Sequence, residues 1–536
     1  DKIVEINNKV IDNSLEYLTT FEVPEEWKDL EYKDNQKLTF NESINLLKGD
    51  TLPVSSFIKN KEGIFEGTTT KEEKRNIAEE VPCWISENCI ECNQCAFSCP
   101  HGVIRPFLLD KKDSKVESIP SLLPKDKEFT IGINYEECTG CGVCTLACPG
   151  KLGKKALEMV PNKDKENNFE YLLKNNVNDK YQSNLLTVKN VSFKEPKFEY
   201  SGACAGCGET PYITNLTRVF NDNLMIANAT GCSSIYSGSV PSMPYSIPWA
   251  SSLFEDNTEY GYGILQGINI KRDKIKKYMK EYPRNKLFKK WIENMDNYDI
   301  CKEVKENIDY KKHPYLNDMK DYILPKQLWV LGGDGFAYDI GYGGLDHVLS
   351  KKDNINILVL DTEVYSNTGG QSSKSSNIGS VASFTSNGKD NYKKDLARIA
   401  MCYPHVYVAS VNIGYNKEQY LKAIKEASLH NGPSLIIAYS PCIEHGIKTG
   451  MQHSQSNGYL ATKCGYFLTF RYNPDTKKFS LDSKEPEFDK YEDYLMTENR
   501  FASLVRKDKE RARLLLEEQK QWAIDRYNYY KKISEE

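Results

Sequence analysis

Two segments of this chain repeat one cysteine pattern, and that pattern narrows what the surrounding backbone can fold into. CIECNQCAFSCP at 89–100 and CTGCGVCTLACP at 138–149 both follow C-x-x-C-x-x-C-x-x-x-C-P. In such a run the first three thiolates reach three corners of one cubane. The fourth lies too far along to close it and ligates another cluster. The assignment is therefore crossed. Cys89, Cys92, Cys95 and Cys148 hold one [4Fe–4S] cluster, and Cys138, Cys141, Cys144 and Cys99 hold a second. Pro100 and Pro149 turn the chain away after the last ligand. Zinc sites use C-x-x-C pairs but rarely place four cysteines in this register. The spacer from Cys99 to Cys138 is long for such a pair, which predicts an inserted loop.

The remaining cysteines bear on compartment and on further sites. Ten of the 16 cysteines fall within 89–99, 138–148 and the pair Cys204 and Cys207. Thiols grouped this way read as metal ligands rather than disulfides and imply a reducing, cytoplasmic setting. Cys83, Cys301 and Cys402 have no partner spacing and read as core residues. Lys plus Arg is 71 and Asp plus Glu is 75, a net charge of −4. That balance gives no basic field and argues against nucleic acid as a partner. There is no run of 18 apolar residues, so no membrane-spanning helix is expected. The chain starts at Asp1 with no basic-then-apolar stretch after it, so no secretory signal is expected and a cut from something longer is.

A length of 536 residues predicts roughly three domains. Residues 1–80 are polar, with a helical start (KIVEINNKVIDNSLEYL), prolines at 24 and 53 and a turn at Glu62-Gly63. They read as a linker or the end of a preceding domain. Residues 81–197 hold the two cysteine runs, an α+β two-cluster domain, and end in a Lys/Asn-rich connector. From 198 to 536 short apolar runs alternate with helical patterns: LWVLGGDG (328–335), INILVLD (355–361), HVYVASV (405–411) and SLIIAYS (434–440), with KEQYLKAIKEASLH (417–430) between the last two. Such runs predict an α/β domain whose parallel sheet is covered on both faces. The charged stretch RKDKERARLLLEEQKQW (506–522) predicts one long surface helix, solvated or used for docking.

Two more constellations lie in this last region. SGACAGCGE (201–209) supplies a C-x-x-C pair, and Cys232 lies in NATGCSSIYSG (228–238). A fourth thiolate could come from Cys442 in YSPCIEHG or from Cys464 in TKCGYF; a redox-active dithiol is the alternative. Gly333-Asp334-Gly335 follows an apolar strand and precedes a helix, so its backbone can approach a phosphate. Asp334 is a hard ligand suited to Mg²⁺. DTEVYSNTGGQSS (361–373) follows the next strand and would face the same crevice. Together they form a thiamine diphosphate signal. His313, His347, His405 and His453 are isolated and read as surface or core residues.

ENCIECNQCAFSCPHGVIRPF, GACAGCGETPY, ATGCSSIY, GDGFAYDIGYGGLDHVL and LDTEVYSNTGGQSSK resemble the C-terminal part of the pyruvate:ferredoxin (flavodoxin) oxidoreductases. The resemblance runs over nearly the whole chain. It implies a ferredoxin-like domain with two clusters, then a thiamine-diphosphate-binding domain carrying a third, proximal [4Fe–4S] cluster. It also implies Cys204, Cys207, Cys232 and Cys442 as the proximal ligands, with Cys464 at a non-ligand position. Asp334, Thr362 and the carbonyl of Val364 match the Mg²⁺ ligands. Glu209, Cys232, Gly333, Asp334, Gly335, Phe336, Thr362, Glu363, Val364, Tyr365, Ser366 and Asn367 match the thiamine contacts, with Asn367 facing the reacting substrate. The implied reaction is oxidative decarboxylation of pyruvate with coenzyme A to acetyl-CoA and CO₂. Electrons pass to ferredoxin or flavodoxin, and the enzyme is a homodimer in an anaerobic context. The family's complete enzyme is more than twice this long, so the chain by itself is expected to turn over nothing. Alternatives are NADP as final acceptor through a fused flavin module, another 2-oxoacid, or a module for electron transfer only.

Overall fold

The computed structural model describes residues 2–28, 37–60, 69–162, 167–181, 183, 185–238 and 242–535. They divide into two compact units, Asp1–Ile64 and Phe65–Glu536. In the first, the amphipathic opening forms a helix over Lys2–Asp12 and then a 3₁₀ turn over Ser14–Tyr17. A second helix, Phe40–Asn45, starts at Thr39. The Thr39 hydroxyl accepts from the Glu42 amide at 3.2 Å and the Glu42 carboxylate accepts from the Thr39 amide at 2.7 Å, a reciprocal cap. The expected Glu62-Gly63 turn lies outside the described residues.

The second unit opens with strand β1 (Glu80–Trp84). Strands β2 (Ile104–Leu109), β3 (Ile119–Pro120) and β4 (Glu128–Ile133) form an antiparallel sheet in the order β2-β4-β3. Strand β5 (Leu157–Pro161) returns to pair with β1, Trp84 opposite Leu157. The spacer between the cysteine runs is a sheet whose apolar residues Ile104, Leu108, Phe129 and Ile133 sit in one core, with the expected inserted loop at 110–127 between β2 and β4, irregular except for β3. The described part of the Lys/Asn-rich connector is likewise structured. Asn178 donates to the carbonyls of Pro106 and Phe193, both at 3.0 Å, and accepts from the Leu108 amide at 2.8 Å. A short helix, Val188–Ser192, buries Val188 and Val191.

The main sheet has eight strands: β6 (Leu224–Ala229), β7 (Trp249–Ser252), β8 (Gln327–Gly332), β9 (Asn356–Asp361), β10 (Tyr407–Val411), β11 (Ser434–Tyr439), β12 (Phe470–Asn473) and β13 (Lys478–Leu481). Their order is β13-β12-β10-β11-β9-β8-β6-β7. From β10 across to β7 every pairing is parallel, and the β12–β13 hairpin adds an antiparallel edge. The four apolar runs are β8 to β11, buried except at Gln327 because helices such as Asn257–Lys280 and Lys417–Leu429 cover the faces. After β6 the chain moves to one side of the sheet and after β8 to the other. This reversal opens a crevice at the C-terminal ends of the parallel strands.

The charged tail departs from expectation. One helix ends at Lys507 and a second runs Lys509–Glu535. Far from being solvated, the second buries Ala512, Leu515, Leu516, Ala523, Tyr527 and Tyr530. Tyr530 stacks on Phe470 at 4.4 Å and on Phe479 at 5.6 Å, so the helix seals the hairpin edge of the sheet. The dense charge of 506–522 hid this stripe, whose aromatic part lies beyond Trp522.

Candidate functional site

The third cysteine of each run sits on a one-turn helix: Cys95 on Gln94–Ser98 and Cys144 on Val143–Ala147. Each helix is entered through a left-handed residue, Asn93 at φ 57° and Gly142 at φ 74°. That kink turns three thiols inward within seven residues. Cys89, Cys92, Cys95 and Cys148 then line one small cavity walled by Trp84, Ile131 and Leu157. Burial pushes the Cys95 thiol well up, and its neighbours Cys92, Cys89 and Cys148 push it further. Cys144 is raised in the same way, by burial and then by Cys141, Cys99, Cys95 and Cys138. Cys138 is pushed up to about 12 by burial, with Cys99 and Cys141 adding to it. The eight thiols therefore gather as two crossed groups of four, and burial disfavours the thiolate form at Cys95, Cys138 and Cys144. Among the described residues no three His, Cys, Asp or Glu side chains are close enough to hold a single metal ion. A cubane, with irons at alternate corners, asks for ligands set wider apart than one ion does.

A third group forms where the two parts of the second unit meet. The turn Cys204–Cys207 is closed by the Cys207 amide donating to the Cys204 carbonyl at 3.0 Å. Within it Gly206 has φ +81°, and a β-carbon there would stand 2.6 Å from the Met451 carbonyl, so a side chain is excluded. The Gly206 backbone lies close enough to Cys141 to act on its thiol, which places this turn beside one of the two crossed groups. Cys232 opens the helix Cys232–Ser237 at the end of the loop after β6. Cys442 follows β11 and is raised by burial and also by Glu209, Cys207 and Cys232. Cys207, Cys232 and Cys442 are thus mutual neighbours, with Cys204 acting on both Cys207 and Cys232. Cys464 lies elsewhere, 2% exposed in the main core, its thiol donating to the Ala461 carbonyl at 3.5 Å.

The crevice beside this group is a cavity of about 690 Å³. Glu209, Cys232, Gly333, Asp334, Gly335, Phe336, Val364, Tyr365, Ser366 and Asn367 all line it, so residues from four separate loops converge. At Gly335 a β-carbon would reach 2.9 Å from the Tyr365 ring, so the glycine keeps the floor open. Asp334 accepts from the Ser373 hydroxyl through Oδ2 at 2.5 Å, while Oδ1 is buried with no partner. The Thr362 hydroxyl donates to the Val364 carbonyl at 3.0 Å. The half-satisfied carboxylate of Asp334 lines the cavity together with Val364 and offers an oxygen donor to a hard cation, whereas Thr362 is not among the lining residues. Glu209 is pushed up to about 7 by burial and accepts from Tyr236 at 2.8 Å. The Cys232 sulfur stands 3.1 Å from the Ser366 hydroxyl, so one cysteine of the third thiol group is also part of the cavity wall.

Glu363 is set apart. Its side chain does not line the cavity but turns into a buried ion group, 2.7 Å from Lys393 and 2.9 Å from Arg500. His445 stood in YSPCIEHG without a role; sequence reasoning missed that ion group altogether, and missed Phe254 and Phe384 in the cavity wall. None of them belongs to a repeat or a spaced motif; the fold alone brings them in from distant segments.

Comparison with known proteins follows the same division. The 4Fe-4S dicluster domain family matches residues 88–152, and the thiamine pyrophosphate enzyme C-terminal TPP binding domain family matches residues 321–438. A domain of unknown function matches residues 40–78. Along its full length the chain is 42% identical to a pyruvate:ferredoxin oxidoreductase of Moorella thermoacetica, of which it covers 49%. The chain belongs to the family of pyruvate:ferredoxin and pyruvate-flavodoxin oxidoreductases. It is 40% identical over 99% of its length to a pyruvate-flavodoxin oxidoreductase of Enterobacter agglomerans, covering 49% of that protein. It is also 38% identical over 92% of its length to a pyruvate dehydrogenase (NADP+) of Cryptosporidium parvum, covering 29% of that one. The chain spans about half the length of the first two of these relatives. It thus carries a ferredoxin-type part followed by a thiamine pyrophosphate domain with a mostly parallel sheet. Among the described residues no helix is long and apolar enough to cross a membrane.

Proposed function

We propose that this chain serves the oxidative decarboxylation of pyruvate with coenzyme A to acetyl-CoA and CO₂, with the electrons delivered to ferredoxin or flavodoxin. The observation that carries the reading is the shared position of Cys232, which stands in the thiol group with Cys207 and Cys442 and in the wall of the cavity. A redox centre held there is in direct contact with whatever occupies that cavity. Thiamine diphosphate supplies the carbanion-stabilising chemistry of decarboxylation, and iron–sulfur clusters supply one-electron carriage.

The chain's own residues divide the work. Asp334 Oδ1, the Thr362 hydroxyl and the Val364 carbonyl would hold Mg²⁺, and the amides of Gly333 to Phe336 would face the diphosphate. Glu209 and Cys232 would flank the reactive ring, and the exposed Asn367 at the cavity edge would meet pyruvate. Cys204, Cys207, Cys232 and Cys442 would hold the proximal cluster. The groups Cys89, Cys92, Cys95, Cys148 and Cys138, Cys141, Cys144, Cys99 would hold the two outer ones. The nearness of the Gly206 turn to Cys141 supports an electron path from the proximal site to the Cys138 group. Domains at 81–197 and 198–536, a homodimer and a cytoplasmic, anaerobic setting complete the reading.

The relatives named pyruvate dehydrogenase (NADP+), from Cryptosporidium parvum and Euglena gracilis, favour a second reading of the acceptor alone. The test is anaerobic reduction of ferredoxin, flavodoxin or NADP+ by the full-length enzyme with pyruvate and coenzyme A, with 2-oxoglutarate in parallel. Fast reduction with pyruvate only is expected; reduction with neither acid, despite loaded clusters, would leave an electron-transfer module.

A further inference from the structure

His445 is completely buried and stands in YSPCIEHG, where sequence reasoning assigned it no role, yet it bridges the two halves of the site. Its ring nitrogen Nε2 lies 2.6 Å from the carbonyl oxygen of Thr362, and its Nδ1 lies 3.4 Å from the amide nitrogen of Cys442. A carbonyl can only accept and an amide N–H can only donate. Nε2 therefore carries the proton and Nδ1 presents its lone pair, so the two partners select one neutral tautomer. The amide of His445 also donates back to the Cys442 carbonyl at 3.1 Å, closing a compact turn around that cysteine.

The ring is itself clamped. Tyr439 lies alongside it at 6.3 Å with the planes 29° apart, and Glu498 Oε1, 3.7 Å from Nδ1, stands beyond hydrogen-bonding reach of the neutral ring and bounds its pocket. Glu498 is held in turn by Asn457 at 2.6 Å, Tyr494 at 3.1 Å and Arg500 at 2.6 Å. Strands β9 and β11, from which the two loops leave, are hydrogen-bonded neighbours with Asp361 opposite Tyr439. Past the strand ends the backbone link is the Ser440 amide to the Asp361 carbonyl at 2.9 Å, and His445 is the next connection.

We propose that His445 is a positioning residue that locks the Cys442 turn to the Thr362 loop, so that the proximal redox centre and the metal-diphosphate side of the cofactor hold one fixed separation. It rests on the reading above that Cys442 ligates the proximal cluster and Thr362 helps hold Mg²⁺. A residue that merely filled space would affect both loops alike. A bridge of this kind makes a sharper demand, because its two ends can be cut separately. His445→Gln places an amide near the Nε2 position and can keep the bond to Thr362 while freeing the Cys442 amide. His445→Asn places a carbonyl near the Nδ1 position and can keep the Cys442 bond while losing Thr362.

The experiment uses the holoenzyme, prepared without oxygen, with three readouts: iron content, thiamine diphosphate affinity in Mg²⁺, and the EPR spectrum and reduction potential of the proximal cluster. His445→Gln is expected to keep the thiamine diphosphate Kd within about threefold while the freed amide turns to sulfur and raises the cluster potential. His445→Asn is expected to raise the Kd about tenfold or more with the spectrum and potential unchanged. Equal effects of the two variants on both readouts, no effect of either, or the opposite pattern would overturn the proposal. Cys442→Ser tests the underlying reading separately. If it keeps all three clusters, the ligand assignment fails whatever His445 does; if it loses one while the two His445 variants behave alike, only the bridge fails.

Discussion

The ammonium of Lys393 lies 2.7 Å from the carboxylate of Glu363, and both are buried beneath the loop that carries Val364 to Asn367. Lys393 also reaches Asp361 at 2.8 Å, and Glu363 accepts from Tyr466 at 2.5 Å. Burial alone would raise the Glu363 carboxyl, yet the cations of Lys393 and Arg500 outweigh it and hold the group at about 2. Glu363 has a left-handed backbone, φ 59°, which costs a non-glycine residue about 1 kcal/mol or more. The ion group supplies the restraint that keeps it there. The consequence is a cofactor loop whose course is set from below rather than by the cavity it lines.

Removing the cation should show this. Lys393→Met leaves Asp361 and Glu363 buried with too little countercharge, and loss of one partner of a buried pair costs about 3–5 kcal/mol. Urea unfolding should report a loss in that range. The double variant Lys393→Met with Glu363→Gln should recover part of it, because the two sites share one charge balance. Additive losses would mean that the pair is not coupled.

Much of this was legible in the sequence, and the reason differs from part to part. The strands β8 to β11 were visible because fully buried parallel strands must be continuous apolar runs. The thiol groups were visible because cluster ligation needs fixed short spacings. Cys232 and Cys442 stand alone, 25 residues or more from other ligands, so the residues offered them only as candidates, and the resemblance was needed to prefer Cys442 to Cys464. Lys393 and Arg500 could not be seen at all, and His445 stood in YSPCIEHG without a role: each acts through a partner brought in by strand order, and strand order leaves no local periodicity. The helix over Lys509–Glu535 was misjudged because its buried stripe is spread among charges that point away from the sheet.

The choice between Cys442 and Cys464 is open to direct measurement. Cys442→Ser should lose one cluster's worth of iron per chain, with the lost EPR signal belonging to the cluster nearest the cofactor. Cys464 touches core residues and the Ala461 carbonyl, so Cys464→Ala should keep full iron and lose only about 1 kcal/mol of stability through the small void. Loss of a cluster in the Cys464 variant would reverse the assignment.

Asp334 should trade stability for binding. Its Oδ1 is buried without a partner, and burial followed by the charge of Asp361 pushes the carboxyl well up. Asp334→Asn removes that unpaired acid, so the protein without cofactor should gain about 1–3 kcal/mol in denaturant unfolding. The same change removes a hard-cation ligand, and thiamine diphosphate affinity in Mg²⁺ should fall about tenfold or more, read by calorimetry. A variant that binds normally would take Asp334 out of the metal site.

Lys389 gives the fold a stability dependence at alkaline pH. Its ammonium is 7% exposed and donates to the carbonyls of Ser373 at 2.9 Å and Ser376 at 2.6 Å, which brace the hydroxyl held on Asp334. Burial, then repulsion from Lys393, lowers it from 10.5 to about 8. Between those two values the unfolded chain binds more protons than the folded one, so stability rises with pH across that window. Below about 8 both states are protonated and the folded state bears the full cost of the buried charge. The difference in unfolding free energy between the wild type and Lys389→Met should therefore shift in favour of the wild type by about 2 kcal/mol between pH 8 and 10.5, allowing for partial solvation. Guanidinium unfolding of both proteins across that range decides the matter: a difference that stays flat would show that Lys389 keeps an ordinary ammonium in the folded chain.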